Sequence, residues 1–415
     1  MSTTHDTPTA PAAGAKRIKP YQISIAFGVG IGVFTMISGI VPQITGWEEE
    51  SLVHRKVFEG IPGALQIAFY TVIPMLLIWG SLRFADRIRN WERGAPDRRK
   101  TTRKNFKQRL ADYRAGVYMR TLLRDSAAGL MHSMMYFGFL ILLGVTTVLE
   151  IDHQLPPALK FLHGDVYKGY AAVGDFAGLM FTGGVVWAIV RRYVQQPYRI
   201  RIKTKPEHAL ILATLLAIGV SGFGAEMFRI AKGQAAGVDL DFEKWSFVGY
   251  FIADILPIEN GVLFHRTSWI LHVISFFVFL ISLPQSKLRH IITSPVNMFL
   301  SPKDRPKGAM KDIGNLLEAE DIDTVGVEVI ENFSWKQLVD LDACTVCGRC
   351  TSVCPANLTG KPLDPREIIL KVGQVMSESG SPAVPATVTT PIDLQVKTSN
   401  VFERITPEEI WDCTS

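Results

Sequence analysis

Cysteine is scarce. The chain has five in 415 residues, and all lie beyond residue 340, at Cys344, Cys347, Cys350, Cys354 and Cys413. So few, confined to one end, exclude a secreted framework held by disulfides. Charge is thin as well: Asp, Glu, Lys and Arg make up 20% of the residues and mean hydropathy is +0.18. A soluble chain of this length would divide into two or three domains. Here charge is missing from six blocks instead, roughly 23–44, 63–82, 129–149, 171–190, 209–230 and 262–283. Each is about 20 residues long, enough to cross a hydrocarbon core as a helix that satisfies its own backbone hydrogen bonds. No small-residue cleavage site follows the first block, so it reads as an uncleaved anchor rather than a signal peptide. No span carries the broken-helix Gly/Pro pairs that mark matching halves of a transporter. This argues against a channel or carrier with the cysteines as a mere sensor.

The net charge of +5 is unevenly spread. The loop after the second block and the stretch "RRYVQQPYRIRIK" are strongly basic, whereas the alternate loops are poor in Lys and Arg and one reads "GWEEES". Neither basic loop has the stacking aromatics or motif of a nucleic-acid binder, so DNA and RNA are excluded as partners. The asymmetry is the positive-inside pattern. It implies a multi-pass protein of the inner (plasma) membrane with the N-terminus, the basic loop 83–125 and the tail in the cytoplasm. The expected architecture is mainly α: a polytopic six-helix transmembrane bundle, then a small α-helical ferredoxin-type domain. The expected divisions are a disordered N-terminus over 1–20, a membrane domain over 21–290, a juxtamembrane linker over 291–332 and a cluster domain over 333–415.

The cysteines carry the clearest chemistry. "CTVCGRCTSVCP" has the spacing C-x2-C-x2-C-x3-C-P, the bacterial ferredoxin signature for a [4Fe–4S] cluster held by soft thiolates. Gly348 permits the tight curl this needs. Zinc, the plainer alternative, more often uses two separated C-x2-C pairs. In two-cluster ferredoxins the cysteine before Pro serves the other cluster. Cys354 would then join Cys413, which reads as the opening of a second, truncated motif; a lone terminal cysteine is the alternative. Helices flank these residues by their capping signals: Ser334 with Gln337, Asp364 before Pro365, and Thr406 before Pro407 with Glu409.

Histidine within a span is uncommon and functional by default. His132 opens the third span; His272 lies in the sixth and His290 just beyond it. Eighteen residues are about five helical turns, so His272 and His290 would share one face about 27 Å apart if the helix continues past Pro284. By topology His132 and His290 lie near the inner surface and can clamp one b-type haem. His272 lies near the outer surface, where His163 could partner it, with His153 and His265 as rivals. Glu226 is a candidate for proton handling at a quinone site.

With these residues in view, the region of spans three to six resembles the gamma subunit of respiratory nitrate reductase, a cytochrome b. His132 on one helix, with His272 and His290 on the last, carries the resemblance. The tail is similar to the iron–sulfur region of the heterodisulfide reductase and glycolate oxidase type. Fusions of the two resemble membrane electron-transfer flavoprotein:quinone oxidoreductases. The resemblance implies one or two haems b, a quinone substrate, and a cytoplasmic redox partner such as an electron-transfer flavoprotein or a catalytic Fe–S subunit. It implies electron transfer between that partner and quinone, or, alternatively, a non-catalytic anchor and relay for a separate catalytic subunit. Two departures stand out. The gamma subunit has a second histidine where this chain has Leu142, which bears on the outer haem. The fusions also continue into further cysteine-rich sequence, which here would lie on missing sequence or another polypeptide.

Overall fold

The structure, a computed structural model, describes residues 18–45, 57–97, 102–201, 205–238, 240–255, 261–301, 326–380 and 399–413. Their order is α1 (Pro20–Thr45), α2 (Gly63–Glu92), α3 (Arg103–Val117), α4 (Ser126–Gln154), α5 (Gly164–Ile189) and α6 (Tyr198–Arg201). There follow α7 (Pro206–Ala235), α8 (Phe247–Ile255), α9 (Gly261–Gln285) and α10 (His290–Phe299). The tail holds α11 (Trp335–Ala343), α12 (Arg349–Val353), α13 (Pro355–Leu358), α14 (Pro365–Glu378) and α15 (Pro407–Trp411). Among the described residues there is no strand, only the isolated bridges Ala95–Ser334 and Val329–Asn400.

Six helices, α1, α2, α4, α5, α7 and α9, are long and apolar enough to cross a membrane. They pack mainly as pairs: α1 on α2, α4 on α5, α7 on α9. Gly138 lets α4 close on α5, since a Cβ there would lie 2.7 Å from the Phe181 backbone nitrogen. Their outward faces are apolar and exposed, as lipid-facing surfaces are.

The second long helix does more than span. At 30 residues it is about 45 Å long, well beyond the roughly 30 Å of a hydrocarbon core. Its far end enters the tail. Trp91 joins Ile330, Leu338, Val375 and Met376 in one buried core, with Phe84 and Ile88 packed against it. Ala95 N donates to Phe333 O at 2.8 Å, and Trp335 N donates to Ala95 O at 3.0 Å. Gly94 makes this approach possible, because a Cβ there would lie 2.5 Å from Trp335 N. The tail is therefore built around the end of α2.

The three expected caps form. Ser334 and Gln337 exchange bonds at the start of α11, Asp364 caps α14 through Arg366 N, and Thr406 and Glu409 close the start of α15. Of the stretch expected as a linker, 302–325 lies outside the described residues, as does 1–17 of the N-terminus. Residues 291–299, expected as linker, continue α10. This helix packs on α3 through the Phe106–Phe299 and Tyr113–Phe299 ring pairs.

Candidate redox site

Two histidines distant in sequence meet. His132 lies in the second turn of α4, whose first turn is capped by Asp125 accepting from Ala128 N at 3.3 Å. His290 opens α10. Their ring centres are 6.3 Å apart, with planes at 58°. At this separation the two imidazoles would hold one haem iron between them through a ring nitrogen of each. His290 Nδ1 donates to Lys287 O at 2.7 Å, which orients the ring and leaves Nε2 with its lone pair, the arrangement typical of a ligating histidine. Burial holds His290 below its ordinary pKa, further lowered by Lys287 and Arg289 although the Lys287 carbonyl opposes it; the ring stays neutral, as ligation requires. His132 Nδ1 is buried with no hydrogen-bond partner, a costly state for a polar atom that faces no ligand. The donor set and spacing fit a bis-histidine haem.

The expectation of one helix carrying both His272 and His290 does not hold. The ninth helix ends at Gln285, and a 3₁₀ turn over Lys287–Arg289 intervenes. Arg87 fixes the break: its Nε donates to Pro284 O at 2.7 Å, among the unpaired carbonyls of that helix end. His272 is held against α7, its Nδ1 3.1 Å from Ile218 O and 3.2 Å from Ser221 Oγ. Among the described residues it touches no other histidine ring. His163 is exposed, at the cap of α5. His265 is buried, with Nδ1 3.0 Å from Ala225 O and Nε2 unpaired. It lies on the same helix, seven residues from His272 and so about 10 Å away on the same face, and cannot oppose it. His153 is buried edge-on to Phe58.

The cysteine loop follows α11. Cys344 caps that helix and is half-buried, as is Cys354, while Cys347, Cys350 and Cys413 are exposed. The backbone curls through Val346 (φ 58°) and Gly348 (φ 71°). For a β-branched residue that is a strained conformation, of the kind retained at functional loops. Burial pushes the Cys344 thiol up, and Cys347 and Cys350 add to this, against the Val346 N–H and Arg289. Among the described residues no three His, Cys, Asp or Glu side chains are gathered into a set that could hold a metal ion. The fit to a cluster therefore rests on four thiols of the right chemistry on one curled loop. Cys413 follows α15, a segment that two ion pairs tie to the tail. Lys371 holds Glu409 at 2.6 Å and Lys361, just after α13, holds Asp412 at 3.5 Å.

The cysteine loop and the histidine pair are joined by residues that spacing could not reveal. Asp342, two residues before Cys344, is buried among Arg87, Trp91, Arg289 and Thr293. On the loop's other side, Arg349 donates to the carbonyls of Thr121 at 3.3 Å and Leu122 at 3.0 Å, just before α4. Sequence reading also passed over Asp175, a buried acid in an apolar span, which accepts from Val248 N at 2.6 Å and hydrogen-bonds Glu226. Its charge within "AAVGDFAGLMF" was the available signal.

Comparison with known proteins agrees with this division. Residues 120–304 match the nitrate reductase gamma subunit family, and residues 335–356 match the 4Fe-4S binding domain. The chain is 29% identical over 318 residues to an EtfAB:quinone oxidoreductase of Syntrophomonas wolfei, covering 71% of this chain and 43% of that protein. It is 29% identical over 337 residues to a probable iron-sulfur-binding oxidoreductase, FadF, of Bacillus subtilis, covering 75% and 46%. A probable membrane-anchored ferredoxin of Chromohalobacter salexigens is 45% identical over 62 residues, 14% of this chain and 9% of that one. The chain thus spans less than half the length of these relatives. No solved structure matches it.

Proposed function

We propose that this chain, in which a nitrate reductase gamma-type membrane domain runs into a 4Fe–4S domain, carries electrons between a cytoplasmic redox protein and quinone in the plasma membrane. The S. wolfei relative's name, EtfAB:quinone oxidoreductase, suggests an electron-transfer flavoprotein as that partner. A 4Fe–4S cluster on the cysteine loop and one haem b between His132 and His290 would supply the one-electron chemistry when bound. The observation that carries the reading is the 6.3 Å histidine pair sitting beside the cysteine loop rather than across the bundle from it. Cys344, Cys347, Cys350 and Cys354 would supply the thiolates, and Cys413 would serve a second cluster. His132 and His290 are presented from two elements. Arg289 lies between the two sites, paired with Asp342 and adjacent to His290. Leu142 and the lone setting of His272 favour a single haem, leaving His272 as a polar group toward the other face of the membrane. The hydrogen-bonded Asp175–Glu226 pair suits proton exchange with a quinone on that same side.

The relay reading, with catalysis on a separate polypeptide, draws support from one feature. Val353, Leu358 and Trp411 are 73%, 64% and 85% exposed, an apolar group close in sequence to Cys354 and Cys413 that suits a protein surface.

Cys347→Ser tests the proposal, since a hard oxygen replaces a soft thiolate. The purified variant should lose most of its iron and sulfide, keep the haem spectrum, and no longer reduce a quinone analogue from a low-potential donor. Normal iron and sulfide, or undiminished quinone reduction, would refute it.

A further inference from the structure

Resting on the reading that electrons pass between the cysteine loop and the His132–His290 pair, we propose that Asp342 is a positioning residue that locks the tail onto the ligand-bearing elements and so sets the gap between the two sites. Asp342 is 3% exposed. Its Oδ1 accepts from Arg87 Nη1 at 3.0 Å and lies 3.0 Å from Arg289 Nε. Its Oδ2 accepts from Trp91 Nε1 at 2.8 Å. Its carbonyl accepts from Thr293 Oγ1 at 3.1 Å. The long second helix, the 3₁₀ turn and α10 thus converge on one residue of the tail.

Three of these partners reach onward to the histidine site, while Trp91 belongs to the core of the tail. Arg87 also binds the Pro284 carbonyl at the end of α9. Arg289 directly precedes His290, and Thr293 lies one turn after it. From Cys344 the path to His290 is two residues of chain to Asp342, one hydrogen bond to Thr293, and one turn of helix. A single buried carboxylate lies between two guanidiniums here and offsets part of their mutual repulsion; without its charge that repulsion would be unscreened and the contact would open. Arg349, between Cys347 and Cys350, grips Thr121 and Leu122 from the opposite side, so the loop is held to the lead-in of α4 as well as to α10. The tail works fixed in place on the membrane bundle.

The test uses the full chain with its cofactors. In Asp342→Asn, amide hydrogen exchange over 290–299 and 335–344 should rise together by about tenfold or more, the equivalent of a lost charge-assisted hydrogen bond, with 130–150 unchanged. Haem and iron content should persist, electron transfer from reduced cluster to haem should slow severalfold, and the magnetic relaxation of one centre by the other should weaken. Asp342→Glu should recover part of the rate. Thr293→Val, which removes one bond and no charge, should raise exchange in the same two segments to a smaller extent and serves where Asp342→Asn does not fold. Wild-type exchange in these variants would overturn the lock, as would raised exchange with an unchanged transfer rate. The exchange measurement does not depend on haem: absence of a bis-histidine signal in the wild-type protein would defeat the electron-route reading separately.

Discussion

Residues in and around the candidate site divide into those whose type and spacing announced them and those that only the fold could reveal. The four clustered cysteines are legible because thiolate chemistry fixes their spacing, and His132 and His290 because a histidine at a span end is conspicuous. Asp342 was invisible: its partners Arg87 and Trp91 stand 255 and 251 residues away, and no local pattern marks a carboxylate that will be buried between them. Glu409 falls between the two cases. Its capping role was readable, but its ion pair with Lys371 was not. Burial alone would raise Glu409, yet Lys371 and the Thr406 backbone outweigh it and hold the carboxyl below its ordinary range. A depressed carboxyl contributes stability that is full above its unfolded pKa and is lost as pH falls through the folded value. Exchange protection of 365–378 and 407–413 should therefore decline as pH drops below about 4.5. Glu409→Gln should show less protection at neutral pH and a flatter decline. An unchanged pH profile in the variant would remove this pair from the account.

The elements show why the spans were easy and their boundaries were not. Twenty apolar residues declare a span, but hydropathy ends the second one at Leu82, where the charges begin. The helix continues for ten more residues to Glu92 because nothing in "RFADRIRNWE" breaks it. Phe84, Ile88 and Trp91 recur at helical spacing among those charges, and this faint stripe is what the tail packs on. Pro284 was readable as a place where the last span changes course, whereas the fresh start of a helix at His290 depends on Arg87 from α2. Trp91→Ala should cost the tail about 3–5 kcal/mol, the usual range for deleting a buried aromatic, and also leave Asp342 Oδ2 without its indole partner. Denaturant unfolding followed by exchange in 335–343 and 365–378 would measure it. A loss below about 1 kcal/mol, the level of an ordinary surface change, would mean that α2 merely passes the tail by.

At the scale of the whole molecule, the six spans and the separate cluster-bearing tail were legible, since both follow from composition and spacing that hold without tertiary detail. How the tail sits on the bundle was not, because that contact is made by apolar, polar and charged residues scattered from Phe84 to Arg349. The arrangement puts the cysteine loop and one histidine pair at the same end of the bundle, and the central claim is that this pair holds the haem through which electrons enter the membrane. Visible and EPR spectra of His132→Ala, His290→Ala and His272→Ala, beside the wild type, test it most directly. Loss of either member of the pair should abolish the same low-spin bis-histidine signal, because one imidazole cannot maintain that state, while iron and sulfide in the tail persist and His272→Ala keeps the signal. Loss of two different haem signals in His132→Ala and His290→Ala, or survival of the low-spin signal in both, would contradict the account.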